Sequence, residues 1–388
     1  MRSAYNDTWL YNLEVIKETK RWLKAKFIEE AQFKIIAEAH PSSFYHPNFI
    51  IRILIFVATL MGLSGVTGLL ALIILGANQV VISIGCLLYG IGSFVLVDRA
   101  IIKNSKHYKS GLTEALIYHA CGFTIGGFAG LADFAILPVL LFSIIILSFA
   151  AYRYLDLLTT VAAFLVFAYL IFFQLYDLGG IFQQIIPFVF ILIFIPIYLL
   201  SKKLKSKSNL SIWTNSLLII ESMSLLLIYL AGNYFVVREL SVNMMDLSIA
   251  EGENIPFAYL FYGLTIIIPG AYLFLGIHNK DVVLLRISLL VLAFSVFTFK
   301  YYYGFGHPEI TLTISGIILL GTALMLFNYL KTIRNGFTRE DLLSEKWSSL
   351  DAEAFIISQT LGGNQVTVDE SFHGGGGNFG GGGSSGSF

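Results

Sequence analysis

Residues 213–236 read WTNSLLIIESMSLLLIYLAGNYFV. Glu221 is the only charged side chain among them, and the apolar content is far greater than one buried helix face requires. An α-helix rises about 1.5 Å per residue, so about 20 such residues cross a hydrocarbon core of about 30 Å. The stretch therefore predicts a membrane-spanning helix with a carboxylate about 12 Å along it, close to mid-bilayer.

Nine further runs have the same character: Phe49–Leu70, Val80–Val97, Leu112–Leu131, Phe134–Ala151, Leu157–Leu175, Ile181–Leu200, Ile255–Leu275, Val282–Phe299 and Ile310–Leu330. Together they predict an all-α, polytopic transmembrane helical bundle of ten spans over residues 49–330. The runs are continuously apolar rather than alternating, which excludes a β-barrel reading. Leu112–Leu131 is the weakest, since it holds Glu114, His119 and four glycines. Losing it would reverse the sense of every later span. Pro138, Pro187, Pro196 and Pro269 lie inside spans, where packed membrane helices tolerate them with kinks.

Composition agrees. Charged residues are 13% of the 388 and mean hydropathy is +0.76, against about 25% charged for a soluble domain. The expected partner is a lipid bilayer. Formal net charge is zero, so no basic field favours nucleic acid. Two cysteines, Cys86 and Cys121, sit in apolar runs, and the seven histidines are dispersed. Neither a disulfide framework nor a metal site or other cofactor is expected. Residues 1–48 lack the apolar core of a signal peptide, so insertion through the first span is expected.

Lys and Arg are placed lopsidedly. One set of alternate loops and span ends holds eleven: Arg99, Lys103, Lys106, Lys109, Arg153, Lys202, Lys203, Lys205, Lys207, Lys280 and Arg286. The other set holds two, Arg238 and Lys300. Cations accumulate on the cytoplasmic side, so ten spans with both termini cytoplasmic are predicted.

The flanking segments differ from the body. Residues 8–38 read as one charged amphipathic helix, with Trp9, Leu13, Ile16, Leu23 and Phe27 on one side. Thr338 and Asp341 make a capping-box start for a second cytoplasmic helix within 331–362, with Leu343, Trp347, Leu350, Ala354, Ile357 and Leu361 recurring at helical steps. Nine of the last fifteen residues are glycine, which predicts a disordered tail over 363–388. Phe372, Phe379 and Phe388 are its candidate contacts for a cytoplasmic partner or the membrane face.

A carboxylate at mid-bilayer costs about 2.5–3.5 kcal/mol on insertion scales, so each needs an explanation. Glu221, with Thr214 and Ser224 on its face, is the leading candidate for a protonatable or cation-binding site. An interhelical hydrogen bond is the plainer reading. Glu114 begins its span, where the helix dipole favours an acid. His119, five residues on, falls on a different face. Asp133, Gln174, Asp177, Gln183 and Gln184 gather near the other span ends, as a polar rim or a vestibule. Gly122, Gly126 and Gly130, like Gly62, Gly65 and Gly68, read as close-packing signals. No catalytic motif is present in the sequence.

The glycine runs broken by Phe in FHGGGGNFGGGGSSGSF, residues 372–388, resemble the tails of bacterial membrane proteins of the TPM-domain kind. FYHPNFIIRILIF (44–56), GLTEALIYHA (111–120), AGNYFVVREL (231–240) and NYLKTIRNGFTREDLL (328–343) resemble polytopic inner-membrane proteins of Gram-negative bacteria that carry a domain of unknown function. That resemblance implies a bacterial inner membrane and no particular chemistry. Two functions are expected from these readings. One is a non-enzymatic scaffold or assembly protein, and the other a secondary transporter in which five spans are related to five. The oligomeric state is left open.

Overall fold

The computed structural model describes residues 3–303, with gaps at 46, 75 and 245–253, and scattered positions from 313 to 331. Two polar helices, α1 (Asp7–Lys24) and the shorter α2 (Glu30–Ala39), precede the long apolar ones. These are α3 (Phe49–Ile73), α4 (Gln79–Leu96), α5 (Leu112–Leu131), α6 (Ile136–Tyr154), α7 (Leu157–Leu178) and α8 (Ile181–Lys205). They continue with α9 (Thr214–Gly232), the short α10 (Tyr234–Asn243), α11 (Ala258–His278) and α12 (Val282–Tyr303). A π-helical turn, Val97–Asn104, extends α4, and a 3-10 turn, Ser208–Trp213, leads into α9.

Side-chain caps set many of the boundaries. Asn48, Asn78, Asp156 and Asn233 each accept a backbone N–H three residues on, starting α3, α4, α7 and α10. Among the described residues, eight helices are long and apolar enough to cross a membrane. The helix that falls short is α5, the run with Glu114 and His119. It matches its expected bounds, and it is also the most enclosed, with buried positions on much of its circumference. The run Ile310–Leu330 falls largely outside the described residues, as do the expected helix in 331–362 and the tail.

Two expectations are corrected. The single helix over 8–38 is broken at Lys26, which takes a left-handed φ of 60°, and restarts at Glu29 with a reciprocal Glu29–Gln32 capping box. No Gly or Pro marks the break. The buried positions of α1 are Leu10, Asn12 and Thr19, whereas Phe27 stands exposed. The second correction concerns the helix expected over 213–236: it ends at Gly232, and Asn233 caps a new helix, α10.

Packing forms two main clusters. The first joins α1, α4, the π-helical turn, α5 and α6 around Val97, Ile117, Ala120, Ala150 and Tyr154. The second joins α7, α8, α9, α11 and α12 around Phe194, Leu225, Tyr229 and Val291. The closest pairings are α4 with α5 and α8 with α9, then α6 with α7 and α11 with α12. The central helix is α5 in the first cluster and α9 in the second.

The α4–α5 contact depends on small residues, though not all of those expected. A Cβ on Gly127 would stand 2.5 Å from Leu87 N and 2.7 Å from Ser83 O, so the two backbones touch there. Gly130 meets the Ser83 side chain, whereas Gly122 and Gly126 meet nothing. Gly62, Gly65 and Gly68 on α3 also face open space. Gly127→Ala is therefore expected to cost about 1–3 kcal/mol, as overpacking does, and to lower the melting temperature in detergent. Gly62→Ala is expected to leave it unchanged. Equal melting behaviour of the two variants would contradict this packing.

Candidate functional site

Helix α9 presents one continuous buried stripe: Glu221, Ser224, Leu225, Ile228, Tyr229 and Gly232, at steps of three and four. Glu221 is wholly enclosed. Its Oε2 accepts from the Lys205 ammonium, which ends α8. One turn earlier, Lys202 Nζ donates to Asp281 Oδ2 at 2.5 Å. Asp281 also caps α12, its Oδ1 accepting from Val283 N (3.0 Å) and Leu284 N (3.2 Å). Two cations in the last turn of α8 thus bind acids on two neighbouring elements. The carboxylate that needed an explanation thus has a cation partner, a lysine at the end of the neighbouring helix.

Burial acts to raise the Asp281 carboxyl. The Lys202 hydrogen bond and charge, with the two α12 amides, outweigh it and hold the group below the usual carboxylate range.

A parallel arrangement stands at the start of α5. Glu114 Oε2 accepts from Gly111 N and Thr113 Oγ1, both at 2.8 Å, and Oε1 accepts from Arg52 Nη2 at 2.6 Å. Gly111 permits this. It has a φ of +87°, and a Cβ on it would fall 2.1 Å from Arg52 O, so the α5 terminus lies directly on the α3 backbone. A fourth pair joins Arg153 Nη2 of α6 to Asp98 Oδ2 of the π-helical turn at 2.7 Å. Nearby, Asp156 accepts from Tyr118 Oη (3.0 Å) and Thr159 N (2.8 Å). Burial pushes its carboxyl above the usual range.

The expected site residues do not converge. Glu221 and Ser224 lie in the second cluster's central helix, and the Ser224 hydroxyl donates to Ile220 O of its own turn (2.7 Å). Thr214 begins α9, half-buried. Glu114 and His119 belong to α5, in the other cluster, where His119 Nε2 lies 3.1 Å from the Tyr89 hydroxyl and packs against Phe123. Phe372, Phe379 and Phe388 fall outside the described residues. Gln183 and Gln184 line a mostly apolar cavity of about 360 Å³ between α8, α9, α10 and the start of α11, at the opposite end. Arg52, Lys205 and Asp281 were missed as partners. Arg52 had a signal, since a cation four residues into an apolar run needs an acid nearby.

No family model, curated protein or solved structure matches the chain. Among the described residues no three His, Cys, Asp or Glu side chains are grouped to hold a metal ion. The chemistry this arrangement offers is electrostatic locking of helices.

Removing one partner of a buried pair leaves an uncompensated charge and costs about 3–5 kcal/mol. Arg52→Met and Glu114→Gln are each expected to destabilise by about that much, and the double variant by less than their sum. Additive losses in a thermal double-mutant cycle would show the pair to be idle. For Asp281 the folded-state pKa is depressed. Its stabilisation is present above the ordinary carboxylate range, about pH 4, and is lost as pH falls through the lower folded value. Asp281→Asn should thus lower the melting temperature at pH 7, with the gap to wild type narrowing in acid. A gap independent of pH would refute that sign.

Proposed function

We propose that this chain is a non-enzymatic integral protein of the bacterial inner membrane. Its basic end and both termini face the cytoplasm, and it serves as a scaffold or assembly protein through its N-terminal helices. The eight long apolar helices support the membrane reading. The cation placement, together with the ion pairs that gather several of those cations at one end, supports the orientation.

One observation carries the scaffold reading. The α1–α2 pair is fastened to the bundle, yet it holds large apolar side chains outward. Ala4 N donates to Arg153 O (2.8 Å), Tyr5 is buried edge-on to Phe44 and Tyr108, and Asn12 Nδ2 donates to Pro41 O (2.7 Å). Tyr11, Phe27 and Ile35 are 63%, 55% and 67% exposed. A fixed base with presented apolar groups suits helix-in-groove contact with another protein.

The transport reading rests on a different observation. Glu221 Oε1 is buried without a hydrogen-bond partner among the described residues. Against it, Oε2 is already bound to Lys205. A five-plus-five division would match α5, the third long helix, with α11, the eighth, whereas α9 takes the equivalent central place.

A photo-crosslinking amino acid at Phe27 or Ile35 in living cells tests the proposal. The expected result is a discrete adduct with a second polypeptide, retained in a Lys205→Met/Glu221→Gln double variant. Adducts confined to lipid would make these side chains membrane anchors and overturn the scaffold reading.

A further inference from the structure

Between the N-terminal segment, the π-helical turn and the end of α6 lies a cavity of about 660 Å³, within the usual ligand-site range of about 300–1,000 Å³. Asp98, Arg99, Lys103 and Arg153 line its polar wall, and Tyr5, Trp9 and Phe44 its aromatic wall.

The π-helical register sets where Asp98 stands in the polar wall. Val97 and Ile102, five residues apart, are both buried. On an α-helix they would lie about 140° apart, but hydrogen bonds of the i→i+5 kind bring residues five apart onto one face. The same register stacks Asp98 with Lys103 and sets Arg99 beside them. A regular α-helix would turn Asp98 away from Lys103, whereas Arg99 and Lys103, four residues apart, adjoin in either register.

The charge on the wall is positive. Asp98 is neutralised by Arg153. Arg99 and Lys103 have no ion-pair or hydrogen-bond partner among the described residues. The Lys106 ammonium adds to the field, 5.1 Å over the Trp9 ring. Unpaired cations around a concavity recognise an anion with several acceptor oxygens, and a phosphate group supplies charge and acceptors together. The apolar surroundings favour an ester that carries a hydrocarbon part. Val95 lines the cavity, and Leu88, Ile91 and Val95 form an exposed ridge along α4 leading away from it.

We infer that this cavity binds a phosphate ester anion at Arg99 and Lys103. A phospholipid with its chains along the α4 ridge and a soluble phosphate ester share that chemistry. The inference goes beyond the scaffold reading and does not depend on any protein partner. It is tested on the purified full chain in detergent. Native mass spectrometry measures retention of phosphatidylglycerol against phosphatidylcholine, and thermal shift measures the effect of glycerol 3-phosphate.

Preference for phosphatidylglycerol without response to glycerol 3-phosphate identifies a lipid, and the reverse pattern a soluble ester. A response to both also upholds the site. In each case R99Q/K103Q should weaken binding about tenfold or more, as losing two charge-assisted hydrogen bonds implies. K203Q/K207Q, at the same end but outside the cavity, should leave it unchanged. Equal retention of both lipids with no shift by glycerol 3-phosphate overturns the inference. So does binding that survives R99Q/K103Q, or that falls equally in K203Q/K207Q.

Discussion

Four acids at the basic end of this bundle each bind a cation from another element, and the helix arrangement depends on those pairs; the buried Asp156 takes the Tyr118 hydroxyl and the Thr159 amide instead. An unpaired charge among membrane helices is costly. Lipid supplies no hydrophobic force to bring one helix to another. Specificity must come from polar links and close approach. Arg52–Glu114 fixes α3 against α5, Arg153–Asp98 fixes α6 against the π-helical turn, and Lys205–Glu221 fixes α8 against α9. Lys202–Asp281 fixes α8 against the α11–α12 turn. Because these residues lie at alternate helix ends along the chain, the pairs themselves bring those ends together.

The opposite end is held by different means. Gln79 Nε2 donates to Gly130 O (2.9 Å), joining the start of α4 to the end of α5. Asn233 Nδ2 donates to Tyr229 Oη (2.8 Å) and Thr298 Oγ1 (3.0 Å), and Tyr302 Oη to Glu239 Oε1 (3.1 Å). Arg238, a rare cation there, lies over the Tyr302 ring at 5.0 Å and accompanies Tyr234. Amides, hydroxyls and aromatic faces replace lysines, so the charge asymmetry seen along the sequence is also an asymmetry of fastening.

Local signals were legible in the sequence. Long apolar runs located the helices, α5 and the starts of α3, α7, α8 and α12 included, because a span is defined by its own residues. The caps Asn48, Asn78, Asp156 and Asn233 are likewise local. Pairing was not legible. Arg52 and Glu114 are 62 residues apart, Lys202 and Asp281 79 apart, and many register choices could bring a given acid to a given lysine. The glycines show the same limit: Gly122, Gly126 and Gly130 have the motif spacing, yet Gly122 and Gly126 face open space and Gly127 lies against the α4 backbone. The Lys26 break and the π-helical turn left no mark, since neither holds Gly or Pro. Glu221 stands on α9 and Glu114 and His119 on α5, in different clusters, and depth along a span says nothing about which helices adjoin.

The central claim is that hydrocarbon surrounds these helices and that one aqueous face meets all the basic connections. Single cysteines at Lys109, Lys207 and Lys280, and at Ala77, Asp133 and Gly180, can be labelled with a membrane-impermeant maleimide in sealed vesicles of known orientation. The account predicts that the first three react from the cytoplasmic face alone and the last three from the opposite face alone. Labelling of Lys109, Lys207 and Lys280 positions from different faces, or of all six from both, would contradict it.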